Sequence, residues 1–230
     1  MLKRALAPLT LQCMRRWVPT SAPGGEEAAR DVAVLDGRDL RLRALAWADV
    51  TVGDARRIVK AASAAVGGPL KKGGLLRMVE VGAGSGFVAW MLERFSEPPH
   101  EVAVEAFDSQ CGKTHVGAWM RQKGVFPWSD KVLQGGVEDA VVTMRQAHAL
   151  FLVWPESDNP MAADALAAFE KARGSGEGSV LVYVGEDEGG ETADGDFFAA
   201  VRANWTELES WELDGTPGTH VRVYKQQMHR

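Results

Sequence analysis

The chain of 230 residues contains only two cysteines and no long apolar run. Cys13 and Cys111 lie far apart, which excludes a disulfide framework and a cysteine-rich zinc site. No apolar run approaches the roughly 20 residues that a membrane-spanning helix needs, so no membrane span is expected. His115, His148 and His220 lie in separate segments without ligand spacing, and this pattern disfavours a metal site. No Gly-x-Ser-x-Gly elbow is present, so a serine hydrolase is not expected.

Acidic residues are missing from the first 25 residues, whereas the rest of the chain is rich in them. The first 25 residues contain four of the 26 Lys and Arg residues, so the remainder has 22 against 31 acids, a net charge of −9. A surface this acidic argues against general binding of nucleic acid phosphates. The N-terminal segment is amphipathic and arginine-bearing, and it resembles a mitochondrial transit peptide. We therefore predict a mitochondrial location, with residues 1–25 as targeting segment and linker; a disordered basic N-terminus is the alternative.

The remaining sequence predicts one substantial domain with a short extension before it. Hydrophobic residues make up 46% of the chain, and eight of its residues are Trp, enough for a large core. Residues 26–50 are predicted to form an N-terminal hairpin extension, with the hairpin itself at 32–45 around Asp36-Gly37. Residues 51–230 are predicted to form the main domain.

Strand-like and helix-like segments alternate through the main domain. Five apolar strands are predicted, with helices between them, at residues 75–81, 102–107, 131–133, 149–154 and 179–184. Two further strands, 207–213 and 220–224, are joined by so short a turn that they must be antiparallel. The predicted fold class is therefore α/β: a Rossmann-like three-layer sandwich whose seven-stranded sheet is mostly parallel, with an antiparallel final strand.

Capping residues and apolar spacing predict how two of the helices begin or continue. Asp54 is predicted to cap the helix before the first strand, and Asp194 or Asp196 to cap a later one. The residues at positions i, i+4 and i+8 of that later helix are Phe197, Val201 and Trp205.

The most specific pattern is a glycine-rich turn between a predicted strand and a predicted helix, Glu80-Val81-Gly82-Ala83-Gly84-Ser85-Gly86. Glycine lacks a Cβ atom, so it permits a sharp turn and lets a ligand approach the backbone. Gly84 to Ala89 also fits the G-x-G-x-x-(G/A) fingerprint of dinucleotide-binding proteins, so an NAD-dependent reductase is one hypothesis. In that register, however, the first glycine lies three residues past the end of the strand.

Counted from the strand, the pattern Glu-x-Gly-x-Gly-x-Gly resembles motif I of the class I S-adenosylmethionine-dependent methyltransferases. The predicted final hairpin resembles the end of that family's seven-stranded sheet as well. The resemblance implies S-adenosylmethionine as the cofactor and methyl transfer to an unidentified acceptor. It also implies that Gly82, Gly84 and Gly86 face the amino-acid part of the cofactor, with Glu80 beneath it.

Acidic residues follow the next two predicted strands. Asp108 ends the second strand, roughly 20 residues beyond the glycines, where a carboxylate accepts hydrogen bonds from ribose hydroxyls. Glu138 and Asp139 follow the third strand, where the methyltransferases often carry an acid near the adenine. Acids at a helix start are equally expected from the helix dipole, so both interpretations of this pair stay open.

Trp154-Pro155-Glu156 follows the fourth strand, on the rim where open α/β sheets bind ligands. The position matches motif IV of the methyltransferases, but the Asn/Asp-Pro-Pro-aromatic signature of the amino- and base-directed enzymes is absent. We predict that Trp154 and Pro155 line the substrate pocket and that Glu156 is the candidate general base. A core role is the alternative for Trp154.

Six acidic residues lie between positions 186 and 196, without the alternating ligand spacing of a calcium loop. This stretch and the preceding strand are similar to a little-characterised group of methyltransferase-like proteins. The shared elements are Leu152-x-Trp154-Pro155, Tyr183-x-Gly185-Glu186 and Gly189-Gly190-x-Thr192-x-Asp194-x-x-Phe197-Phe198. Glu191 stands where that group is expected to carry a cysteine. The alternative to an active enzyme is a catalytically weak or inactive subunit of this fold in a mitochondrial protein or ribonucleoprotein assembly, such as the ribosome.

Overall fold

The computed structural model describes residues 46–67, 70, 74–112, 115–116, 131–174 and 178–227. The predicted targeting segment at 1–25 and the predicted hairpin at 32–45 lie outside these residues. Among the described residues, no helix is both long and apolar enough to cross a membrane.

The described residues form five helices and nine strands. The helices are α1 (Val52–Val66), α2 (Phe87–Phe95), α3 (Val137–Met144), α4 (Met161–Arg173) and α5 (Gly195–Asn204). The strands are β1 (Leu76–Val81), β2 (Val102–Asp108), β3 (Cys111–Gly112), β4 (His115–Val116), β5 (Leu133–Gln134), β6 (Ala149–Val153), β7 (Val180–Gly185), β8 (Trp205–Glu212) and β9 (His220–Gln226).

Seven of the strands form one sheet in the order β5-β2-β1-β6-β7-β9-β8. The pairs from β5 to β7 are all parallel, whereas β9 is antiparallel to both β7 and β8. The predicted α/β class, with a mostly parallel seven-stranded sheet and an antiparallel final strand, is therefore confirmed. The short β3 and β4 pair with each other outside this sheet.

Helices cover both faces of the sheet and so make three layers. One core cluster joins the sheet to α1 and α2, and the other joins it to α3, α4 and α5. In β7, Val180, Val182 and Val184 belong to the first cluster, whereas Leu181 and Tyr183 belong to the second. A strand buried on both faces must be apolar throughout, which explains why the sequence of β7 shows no polar alternation.

The start of α1 differs from the prediction. Thr51 is the cap: its Oγ1 accepts a hydrogen bond from the Asp54 N–H at 3.2 Å, and Asp54 Oδ2 accepts from the Thr51 N–H at 3.1 Å. The predicted cap, Asp54, is thus the third helical residue of a capping box. The helix begins earlier because Ala48 and Val50, just before it, are fully buried in the core.

The end of α5 also differs. The helix stops at Asn204, and Trp205, predicted as its third apolar position, is the first residue of β8. The Trp205 indole N–H donates to Glu170 Oε1 in α4 at 2.7 Å, and the ring is buried. Packing against α4 therefore overrides the helical spacing of the sequence.

Candidate functional site

A glycine turn joins β1 to α2 at the carboxyl edge of the parallel strands. Gly82, Gly84 and Gly86 have φ angles of +77°, +56° and +74°. This left-handed conformation costs other L-residues roughly 1–2 kcal/mol each. Helix α2 begins directly after Gly86. The backbone path therefore requires these alternate glycines, and the predicted strand–turn–helix is present.

Two of these glycines differ in what surrounds them. A Cβ atom on Gly82 would lie 2.7 Å from Cε of Met161, the first residue of α4, so Met161 packs directly on the turn. A Cβ atom on Gly84 would meet no atom of the described residues within 4 Å. The space beside Gly84 is therefore open, whereas a flexible thioether side chain borders Gly82.

Several backbone N–H groups of the turn are bonded within the protein. Those of Gly82 and Ala83 both donate to the Phe107 carbonyl oxygen, at 2.9 and 3.0 Å. The Phe87 N–H, at the start of α2, donates to Ser85 Oγ at 3.2 Å. Because these donors are occupied, the turn offers fewer N–H groups to a diphosphate than a helix N-terminus usually does.

Asp108 ends β2 and ties the glycine turn to that strand. It is buried, and its Oδ2 accepts a hydrogen bond from the Gly84 N–H at 2.7 Å. Its Oδ1 accepts from the Gln110 N–H at 2.8 Å. A carboxylate oxygen has two lone pairs and can accept more than one hydrogen bond, so the ribose contact of Asp108 stays a prediction. The structure adds a second role for Asp108, which is to fix the turn itself.

Glu80 lies in β1, two residues before Gly82, and is 2% exposed. Its Oε2 has no hydrogen-bond partner among the described residues. Burial and, to a smaller extent, the negative charge of Asp108 raise the pKa of Glu80 to about 8. Glu80 is therefore mostly protonated at neutral pH, because an unpaired charge there is costly. A buried acceptor without a partner beside an open turn fits a polar or cationic group of a ligand.

Glu138 and Asp139, the acidic pair after β5, differ in their surroundings. Asp139 Oδ2 accepts a hydrogen bond from the Gly136 N–H at 2.9 Å, at the start of α3. A Cβ atom on Gly135 would lie 2.7 Å from the Asp139 Cβ, so this glycine makes room for the cap. Asp139 thus stabilises the helix start, whereas Glu138 is exposed and remains the predicted residue on the adenine side.

Trp154, after β6, adopts a φ of +49°, which is unusual for a bulky residue. Its N–H donates to the Val184 carbonyl oxygen at 2.7 Å, and its half-buried ring packs against the core cluster of α1 and α2. Pro155 is buried, and Glu156 is exposed. This packing agrees with the alternative prediction that Trp154 is a core residue. The pocket role of Trp154 and Pro155 and the general-base role of Glu156 stay predictions.

The loop after β7 is built around the hydroxyl of Thr192. Thr192 Oγ1 accepts a hydrogen bond from the Glu186 N–H at 2.7 Å and lies 2.7 Å from the Tyr183 Oη. The Tyr183 hydroxyl also donates to the Glu186 carbonyl oxygen at 3.1 Å. Both side chains are fully buried, and a Cβ atom on Gly185 would collide with the Tyr183 hydroxyl. The residues Tyr183, Gly185 and Glu186 of the Tyr-x-Gly-Glu element therefore form or make room for this hydrogen-bond network.

The rest of the same motif completes the loop and the start of α5. Asp194 Oδ1 accepts a hydrogen bond from the Phe197 N–H at 2.9 Å, so Asp194, one of the two predicted caps, is confirmed. The Phe197 and Phe198 rings pack on Tyr183 with centroid distances of 5.1 and 5.8 Å. The motif shared with the little-characterised group thus describes how a loop folds.

The loops after β6 and β7 are joined to each other and form one acidic rim. The Ala193 N–H donates to the Pro155 carbonyl oxygen at 2.8 Å, and the Ser157 N–H donates to the Glu191 carbonyl oxygen at 3.2 Å. Residues 154–160 and 185–196 contain eight acidic residues and no Lys or Arg. We call these two loops the acidic rim.

Two features of the site do not follow from the sequence patterns: Met161 beside Gly82, and Asp108 as a support of the turn. Both follow from the strand order, because β1 lies between β2 and β6. Residues that follow β2 and β6 must therefore flank the turn after β1. An apolar residue at the start of the helix after β6 was the available signal for Met161.

One cavity among the described residues lies away from the predicted site, and no metal-binding cluster is found in them. In the described ranges, no three His, Cys, Asp or Glu side chains lie close enough together to hold a metal ion. A cavity of about 610 Å³ lies between β2 and α3, with Arg77, Glu105 and Thr143 among its lining residues. None of the predicted site residues lines it.

No protein-family model matches this sequence, and no curated protein matches it. Among solved structures, a putative class I S-adenosylmethionine-dependent methyltransferase from Listeria monocytogenes aligns over 96% of this chain and 70% of its own, with 11% identity and a TM-score of 0.50. At this identity the likeness shows the fold: the chain has the fold of the class I S-adenosylmethionine-dependent methyltransferases.

Two further solved structures align with smaller parts of this chain and of their own chains. TrmN from Thermus thermophilus has 12% identity and a TM-score of 0.47, over 78% of this chain and 50% of its own. Human N-acetylserotonin methyltransferase, solved in complex with SAM, has 11% identity and a TM-score of 0.43, over 89% of this chain and 60% of its own. This chain thus spans about half to three fifths of the length of these two proteins.

We expect Glu80→Gln to stabilise the protein at pH 8 and to change its stability little at pH 5. The folded-state pKa of about 8 lies above the ordinary 4.5, so the folded state binds more protons and wild-type stability falls as pH rises between these values. The gain at pH 8 should be a few kcal/mol, because the wild type loses roughly 1.4 kcal/mol of stability per pH unit between these values. Urea unfolding at both pH values measures it. The exposed Glu101→Gln is the control, and parallel pH profiles for wild type and Glu80→Gln would contradict the assignment.

We expect Thr192→Val to destabilise the protein by about 1–3 kcal/mol, because it leaves the buried Glu186 N–H without its acceptor and removes a partner of Tyr183. Thermal or urea unfolding measures the change. Thr206→Val, on the exposed side of β8, is the matched control and should stay within about 0.5 kcal/mol of wild type. Equal effects of the two substitutions would show that the network contributes nothing.

Proposed function

We propose that this chain binds S-adenosylmethionine at the glycine turn and transfers its methyl group to an acceptor at the acidic rim. The observation that carries the proposal is the buried Glu80 Oε2, which lacks a partner among the described residues and lies two residues before Gly82. The open space beside Gly84 gives a ligand room to reach the turn. The turn follows the first strand of the sheet, and its resemblance to motif I of the methyltransferases supports the proposal.

The charges of the turn favour S-adenosylmethionine over a dinucleotide. A diphosphate is bound by free N–H groups and cations, whereas this turn presents the carboxyl groups of Glu80 and Asp108 and uses the N–H groups of Gly82, Ala83 and Gly84 internally. S-adenosylmethionine has no phosphate and carries positive charge on its amino-acid part. The NAD-dependent reductase is therefore the weaker hypothesis.

When bound, S-adenosylmethionine supplies an electrophilic methyl group on a sulfonium sulphur, so the protein need only position the acceptor and exclude water. Gly82, Gly84 and Gly86 would face the amino-acid part of the ligand, Asp108 would accept hydrogen bonds from the ribose, and Glu138 would lie on the adenine side. Glu156, on the adjoining rim, removes the acceptor's proton where the acceptor has one to lose.

The acceptor that fits this rim is neutral or cationic. The two loops contain eight acidic residues and no Lys or Arg; Arg202 and Arg222 pair with Glu188 and Asp187, and the remaining acids repel a nucleic acid backbone. The proposal keeps the mitochondrial location, which rests on the basic, acid-free residues 1–25.

Isothermal titration calorimetry with the full chain tests cofactor binding. We expect S-adenosylmethionine and S-adenosylhomocysteine to bind, and Gly84→Ala to weaken binding by about tenfold or more, equal to about 1.4 kcal/mol, because its methyl group enters the ligand's space. Gly174→Ala is the matched control: its φ is +66°, a Cβ atom there meets no described atom within 4 Å, and it lies at the end of α4. It should cost stability and leave binding unchanged.

The same titration distinguishes the alternatives. Binding of NADH instead of the adenosyl ligands would favour the reductase. A folded chain that binds neither would favour a catalytically inactive subunit of a mitochondrial assembly, and partners that copurify with it would then identify its role.

A further inference from the structure

We infer that a second ligand site, for a phosphate monoester with an apolar body, lies where Arg77, His148 and Arg173 adjoin the cavity beside β2. This place is the amino edge of the parallel strands, whereas the glycine turn lies at their carboxyl edge, so the inference is independent of the proposed function. It starts from two features that methyl transfer does not use. One is a pair of arginines without an acidic partner in the described residues, and the other is a cavity that none of the predicted site residues lines.

Arg77 and His148 are neighbours at the point where β1 and β6 begin. The parallel pairing of these strands includes Met78 with Ala149. One residue earlier, the His148 N–H donates to the Arg77 carbonyl oxygen at 2.8 Å, and the Arg77 N–H donates to His148 Nδ1 at 3.0 Å. Because Nδ1 accepts a hydrogen bond, the neutral imidazole carries its proton on Nε2, which is therefore a donor for a ligand.

Arg173, the last residue of α4, brings a second guanidinium group to this place. Its Nη1 donates to the Arg145 carbonyl oxygen at 3.4 Å, three residues before His148. Its Nε is buried and has no hydrogen-bond partner among the described residues. Burial and the positive charges of Arg173 and Arg77 lower the pKa of His148, which agrees with both guanidinium groups lying near the imidazole.

Neither guanidinium group is neutralised within the described part of the chain. Arg77 and Arg173 form no ion pair there, whereas four other arginines each pair with an acidic side chain. The helix dipole explains a cation at the end of α4, but it does not explain Arg77, which belongs to a strand and lines the cavity. Two guanidinium groups beside an imidazole N–H offer the positive charge and the forked donors that a phosphate accepts.

The cavity beside β2 gives such a ligand room for an apolar body. Its volume of about 610 Å³ lies within the range of about 300–1,000 Å³ that is usual for small-molecule sites. Leu133 and Val142 line it and are 45% and 65% exposed, although both are large apolar side chains. An apolar group in the cavity removes part of this surface from water, which favours binding.

The remaining charged residues of the cavity determine which way the ligand lies. Glu105 accepts a hydrogen bond from the Thr143 hydroxyl at 2.6 Å, and it lies two residues further along β2 than the residue paired with Arg77. Its negative charge disfavours a phosphate in that part of the cavity and leaves Arg77 as the favoured end. Lys131 also lines the cavity and forms an ion pair with Glu93 at 3.0 Å.

Calorimetric titration of the full chain with 1-naphthyl phosphate, in a phosphate-free buffer at pH 7, tests the inference. This probe combines a phosphate with an apolar ring system. We expect its Kd to lie at least about tenfold below that of inorganic phosphate, which lacks the apolar body, and that of 1-naphthol, which lacks the charge.

Matched variants identify the two parts of the site. Arg77→Gln and Arg173→Gln should each weaken binding by about tenfold or more, because each removes one charge-assisted donor. Lys60→Gln, which removes an exposed cation from α1, should leave the Kd unchanged. Leu133→Gln should weaken binding as well, whereas Leu208→Gln, at the comparably exposed Leu208 of β8, should not.

The imidazole of His148 supplies a second measurement that needs no arginine variant. A bound phosphate offsets the charges of Arg173 and Arg77, so 1-naphthyl phosphate should raise the pKa of His148. The ¹H–¹³C signals of the imidazole, followed by pH titration with and without the probe, measure this change, and His148→Gln assigns them. This measurement decides the question where an arginine variant does not fold by circular dichroism.

Several results would overturn the inference: no binding of 1-naphthyl phosphate, equal binding by wild type and both arginine variants, or a His148 titration that the probe leaves unchanged. Loss of probe binding in Gly84→Ala would also overturn it, because the probe would then occupy the glycine turn. Failure of S-adenosylmethionine to bind would overturn the proposed function and leave this inference standing.

Discussion

The hydrogen bond from the Gly84 N–H to Asp108 Oδ2 is the interaction on which the candidate site depends. It joins the turn after β1 to the end of β2, and its geometry follows from the parallel register that pairs Val81 with Phe107. That register leaves Asp108 one residue beyond the last pair, level with the turn. A slip by one residue would turn Asp108 to the other face of the sheet and release the turn.

The burial that stabilises the end of this sheet also removes two carboxyl groups from water. The packing of helices on both faces leaves Glu80 and Asp108 buried, and of these two only Asp108 accepts hydrogen bonds from backbone N–H groups of the described residues. An isolated fold would be more stable with an apolar residue at Glu80. Folding rules are typically broken at functional sites, so this departure in an otherwise apolar strand supports the proposal that a ligand binds here.

The sequence predicted those features that depend on local pattern. The apolar strand predicted at 179–184, which is β7, and the glycine turn are both properties of adjacent residues, and both are present. The Thr51 cap was not predictable in the same way, because Thr51 and Asp54 can both act as caps and the burial of the preceding residues decides between them. The contact between Met161 and Gly82 joins residues about 80 positions apart, so only the strand order reveals it.

The two motifs of the sequence therefore carry different kinds of information. The pattern around Tyr183 and Thr192 is explained by a hydrogen-bond network that folds one loop, so similarity in that stretch indicates the shape of the rim. The residues that bear on ligand chemistry, Glu80, Gly84 and Asp108, lie at the ends of β1 and β2 on the other side of β6. The proposed function therefore assigns cofactor recognition and acceptor recognition to separate strands. Under that proposal, changes in the rim, such as Glu191 in place of the expected cysteine, would alter the acceptor without disturbing the turn proposed to bind the cofactor.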